Sequence, residues 1–93
     1  MELIKLNEVY NIVDHLENGW DISGQVIKQP AGDIQININV RNDEASIGNY
    51  SYVIVPFNDT ITISYNSKSE LQAAFCDYCE SLVVTILEQI KVD

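Results

Sequence analysis

Cys76-Asp77-Tyr78-Cys79 forms a C-x-x-C, the spacing of dithiol redox centres and of half a zinc site. In a redox protein the motif opens a helix, where the dipole lowers the thiol pKa. The surrounding sequence predicts a helix beginning near Ser69, so the motif lies about two turns inside it and lacks that activation. A structural zinc site takes four ligands, usually from two such pairs, and the chain has one pair. Both cysteines fall on the apolar arc of the helix and read as buried structural residues.

His15 is the only histidine. A helical projection sets it beside Glu8 and Asn11, with no nucleophile at a spacing it would serve, so it reads as a solvated surface residue. Asp43 and Glu44 are adjacent in a loop, and adjacency does not make an acid–base pair. The chain carries neither a Gly-rich phosphate loop nor a G-x-S-x-G element. The expectation is a non-enzyme with no catalytic residues, no metal and no cofactor.

Binding, rather than catalysis, is suggested in two places. Glu70, Asp77, Glu80 and Glu88 project from the polar back of the C-terminal helix, with Ala73, Ser81 and Val84 between them. No Lys or Arg stands four residues on from any of them, so no such pair offsets their repulsion. The face is either simply solvated or a ridge for a basic partner. The second place is the strand over residues 49–55. If Ser51, Val53 and Val55 face the helices, Tyr50, Tyr52 and Ile54 face outward among Asn37, Asn39, Thr60 and Thr62, as a candidate hot spot. A register shift of one residue buries the tyrosines instead.

These residues need elements to position them. Leu6, Val9, Val13 and Leu16, at spacings of three and four, predict a helix over residues 7–18, with Asn7 as N-cap and Gly19 as its stop. Met1 to Leu6 either extends that helix through Leu3 or forms a short edge strand. Residues 20–29 read as a strand with Trp20 in the core, and Pro30-Ala31-Gly32-Asp33 as a turn. Residues 34–41 are the clearest strand, with Ile34, Ile36, Ile38 and Val40 alternating against polar residues. Residues 42–46 read as a polar loop and 49–55 as a third strand, which Pro56-Phe57-Asn58-Asp59 ends. Residues 60–65 form a fourth.

Ser67-Lys68-Ser69-Glu70 has the form of a capping box before a long helix over about residues 69–91. The apolar arc of that helix spans roughly 200°, against the ~100° of an ordinary surface helix. It therefore needs cover from the sheet and from either the N-terminal helix or a second copy. The predicted fold is α+β: a four-stranded antiparallel meander flanked by an N-terminal and a long C-terminal helix, in the order α-β-β-β-β-α.

Ninety-three residues with 46% hydrophobic content make one domain, 1–93. Five basic residues against fourteen acidic ones give a net charge of -9. That balance, with Lys5, Lys28, Arg41, Lys68 and Lys91 scattered, argues against direct nucleic-acid binding and against anionic membrane surfaces. No apolar run approaches the ~20 residues of a membrane span, and the first residues lack a signal-peptide core, so the expected location is cytoplasmic.

Three functions fit. The first is a non-catalytic inhibitor that docks on a basic protein, one that handles nucleic acid; immunity proteins, antitoxins and phage-encoded inhibitors of host defence share this logic. The second is a dimeric chaperone or adaptor paired through Leu82, Val83, Ile86 and Leu87. The third is a small ligand-binding or hydrolytic domain, which needs a pocket near His15 or the cysteines.

Overall fold

The computed structural model describes residues 8–91. Among these residues five strands run in chain order: β1 Glu8–His15, β2 Trp20–Lys28, β3 Ile34–Asn42, β4 Ala45–Val55 and β5 Thr60–Ser67. A single helix, α1 Gln72–Lys91, follows them. The sheet order is β1-β2-β3-β4-β5, and every neighbouring pair is antiparallel.

The structure corrects the predicted order at its start. Residues 8–15 are a strand, not a helix, so the sheet has five strands and the described residues hold no N-terminal helix. The spacing that suggested a helix does not discriminate here. Val9 and Val13 are four apart, which places them on one face of a helix and equally on one face of a strand. Val9, Tyr10, Ile12 and Val13 are β-branched or aromatic and favour the pleated form. Gly19 does adopt a positive φ, 95°, but within a β1–β2 hairpin turn rather than a helix cap. The alternatives for Met1 to Leu6 lie outside the described residues.

Alternation puts one apolar face of the sheet under α1. Trp20, Ile22 and Val26 of β2, Ile34, Ile36, Ile38 and Val40 of β3, and Tyr50 of β4 are buried there. Phe75, Cys79, Val83 and Ile90 of α1 meet them. The opposite face is open, lined mostly by small uncharged polar residues such as Ser23, Gln25, Asn37, Asn39, Ser51 and Ser64.

Two irregularities set the helix on the sheet. The register shifts between Val40 and Arg41, so Ile47 is an extra residue in β4 and is buried. The Ile47 carbonyl accepts the Lys68 N–H at 3.0 Å, tying the end of β5 to the bulge. Next to it, a Cβ on Gly48 would lie 2.3 Å from the Asn66 carbonyl oxygen and 3.0 Å from Phe75 Cε1. The missing side chain is what lets Phe75 reach the sheet. The predicted capping box does not form: Ser67 ends β5, and the chain enters α1 through a 3-10 turn, Ser69–Leu71, without a side-chain cap.

The wide apolar arc of α1 is taken up by both flanks of its seat. Tyr78 meets Trp20 edge-on at 6.3 Å, while Phe75 packs against Tyr50 and Tyr65, each at 6.3 Å. Phe75→Ala is expected to cost about 3–5 kcal/mol in urea unfolding. Val84→Ala, on the exposed side of the same helix, should stay within about 0.5 kcal/mol. A Phe75→Ala loss below about 1 kcal/mol would contradict this packing.

Candidate functional site

Phe75, Cys79 and Val83 fix the rotation of α1, and that rotation presents its other face to solvent. Glu70, just before the helix, and Asp77, Glu80 and Glu88 within it are all exposed. Asp77 to Glu88 spans about 16 Å of helix axis. Among the described residues, none of the four carboxylates has an ion pair or side-chain hydrogen bond. Between them stands Val84, 55% exposed, an apolar side chain framed by acids. Glu80 lies near enough to β4 that its charge, after burial, helps hold the Tyr50 hydroxyl pKa above its ordinary value.

The second predicted surface is turned the other way. Tyr50 pairs with Ile38, Tyr52 with Ile36 and Ile54 with Ile34, so all three share the helix-covered face. Tyr50 is only 4% exposed, with Tyr65 stacked at 6.2 Å and Phe75 beside it. Tyr52 and Ile54 are half-buried. The outward register is therefore corrected, and Tyr50 has no free face to offer a partner. The physical reason is volume: aromatic rings fill the space beside Phe75 that Ser51 and Val53 would leave open.

Of the residues considered for pairing through α1, Val83 is buried against the sheet and Leu87 is half-buried. Leu82 and Ile86 instead line a groove of about 450 Å³ between α1 and β1. Its floor includes Ile12, Val26 and Ile90, and its rim Asp14, Thr85 and Gln89. At one end the Tyr78 hydroxyl donates to Asp14 Oδ2 at 3.4 Å. Neither His15 nor either cysteine lines the groove. His15 projects from the opposite face of the sheet and pairs with Asp21 on β2.

The cysteines sit as their helical positions require. Cys79 is buried, Cys76 is half-buried, and both are free thiols. Burial, with a smaller contribution from Cys76, pushes the Cys79 thiol up to about 12. Burial and then the Asp14 carboxylate push Tyr78 up to about 12. Among the described residues no three His, Cys, Asp or Glu side chains are grouped to hold a metal ion. No helix among them is long and apolar enough to cross a membrane.

No family model, no curated protein and no solved structure matches the chain. Sequence reading passed over two features: the β1–α1 groove, hidden while residues 7–18 were read as helix, and the outer edge of β5. The second carried a signal, since the last strand of an open meander lies at an edge.

The raised pKa values predict alkaline sensitivity with a definite sign. In the fold Cys79 and Tyr78 hold their protons to about 12, whereas in the unfolded chain they lose them from 9.0 and 10.0. The unfolded state then binds fewer protons, so stability falls as pH rises. Urea midpoints should be level from neutral pH to about 9 and fall between 9 and about 12. Thiol labelling of the native protein at neutral pH should modify Cys76 well before Cys79. Equal labelling, or a midpoint level throughout, would contradict the buried position of Cys79.

Proposed function

We propose that this is a non-catalytic, cytoplasmic protein-binding domain whose exposed α1 face docks on a basic protein, one that handles nucleic acid, and blocks it. One observation carries the reading. Glu70, Asp77, Glu80 and Glu88 are exposed on one side of α1 without local partners among the described residues, and they frame the exposed Val84. Carboxylates with no structural task cost the fold a little through mutual repulsion, and that cost is offset when a cationic surface meets them. An apolar side chain amid the charges supplies a contact that desolvates on docking, as interface centres require. The overall charge of -9 adds long-range steering toward such a partner.

The β1–α1 groove favours a second reading, a small-ligand site. Its size lies within the range of such sites, and Asp14, Thr85 and Gln89 supply polar groups at an apolar floor. The groove would take a small apolar molecule carrying a donor or a positive charge toward Asp14.

Affinity capture from the source cell, at low and high salt, separates the two. The expected result is a basic protein retained by the parent chain and released by salt. The Glu70→Lys, Asp77→Lys, Glu80→Lys variant should lose it while folding as well as the parent or slightly better. Unchanged retention by that variant at low salt would remove the α1 face from the account.

A further inference from the structure

The geometry points to a homodimer in which two copies of this chain join antiparallel through β5, edge to edge, about a two-fold axis at Ile63. Among the described residues β5 has a neighbour on one side only, β4. Its other side presents backbone N–H and C=O groups along eight residues, about 26 Å. Natural edges are usually blunted by Lys, Pro, inward charges or a bulge. Thr60–Ser67 has none of these: the segment is TITISYNS, and its pairing with β4 is regular throughout. The opposite edge, β1, does carry charge, at Glu8 and Asp14.

The side chains of β5 repeat the argument. Ile61, Ile63 and Tyr65 pair with Ile54, Tyr52 and Tyr50 and so lie on the apolar, helix-side face. Yet they are 57%, 51% and 39% exposed. A second β5 with Ile63 opposite itself sets Ile61 against Tyr65 at both ends of the stripe. On the other face it sets Thr62 against Ser64 and Thr60 against Asn66. Opposed residues of an antiparallel pair share a face, so apolar groups meet apolar groups and hydroxyls meet hydroxyls or amides. Axes at neighbouring residues do not pair all three apolar side chains with one another.

Charge selects the same partner and the same direction. Asp59 stands immediately before β5 and Lys68 immediately after it. Antiparallel two-fold pairing sets Asp59 opposite Ser67, one residue from Lys68 of the other copy, at both ends. Parallel pairing would set like charges together. In a chain of net charge -9, most surfaces repel a second copy. The β5 edge is uncharged along its length and complementary at its ends. The α1 acidic face lies elsewhere, so the pairing and the basic-protein reading stand or fall separately.

Sedimentation equilibrium of the full chain at micromolar concentration should give twice the 10.5 kDa chain mass. Ile63→Lys, which opposes two ammonium groups on the axis, should give the single-chain mass with an unchanged far-UV circular dichroism spectrum. Should that variant not fold, mild oxidation of Ile63→Cys and Ile61→Cys decides instead. Position 63 opposes itself and should form a disulfide-linked dimer, while position 61 opposes Tyr65 and should not. A parent of single-chain mass, a dimer that survives Ile63→Lys, or equal cross-linking of the two cysteine variants would overturn the proposal.

Discussion

One helix has to cover a sheet wider than itself, and the rest of the structure follows from that mismatch. Five antiparallel strands span about 19 Å across, at ~4.8 Å per neighbour, while a helix with its side chains is about 10–12 Å wide. Phe75, Cys79 and Val83 fix α1 over the centre of the sheet, where Ile22, Ile36, Ile38 and Val40 are buried. Gly48 and the Ile47 bulge hold that seat at the end where the helix begins. The edge strands are then only partly covered. On the β1 side the shortfall leaves the groove beside Ile12 and Leu82; on the β5 side it leaves Ile61, Ile63 and Tyr65 half in water.

The same constraint sorts the chain's surfaces by chemistry. The outer side of α1 is free to carry charge because its inner side alone anchors it, and there Glu70, Asp77, Glu80 and Glu88 stand. The open sheet face holds mainly Asn, Gln, Ser and Thr side chains, with its charged groups His15, Asp21 and Arg41 gathered at one end. The β5 edge is apolar on one face and uncharged on both. The surfaces proposed for a basic partner and for a second copy therefore lie at different places. Burial has meanwhile taken Cys79 and Tyr50 out of contention for surface chemistry.

Much of the fold was legible because its alternation is strict. Ile34, Ile36, Ile38 and Val40 announce a strand with one buried face, and the apolar arc from Phe75 to Ile90 announces the helix. What was not legible depended on contacts between distant residues. Val9 and Val13 fit either period, and only hairpin pairing with β2 decides for a strand. The tight turn at Asp43, with φ 55°, and the bulge at Ile47 extend β4 back to Ala45 through what reads as a polar loop. That bulge shifts which residues face the helix, so the orientation of Tyr50 and Tyr52 was open to the sequence in either register. The acidic ridge was readable in advance because a helix with one apolar arc can point its acids only away from it.

The most direct test of the docking claim is an amide NMR titration of the ¹⁵N-labelled chain with the basic protein it retains. Shifts should concentrate at Glu70, Asp77, Glu80, Val84 and Glu88 and weaken as salt is raised. Shifts confined to Ser23, Asn37, Asn39 and Ser51 on the open sheet face, or to Ile12 and Gln89 in the groove, would contradict the docking claim.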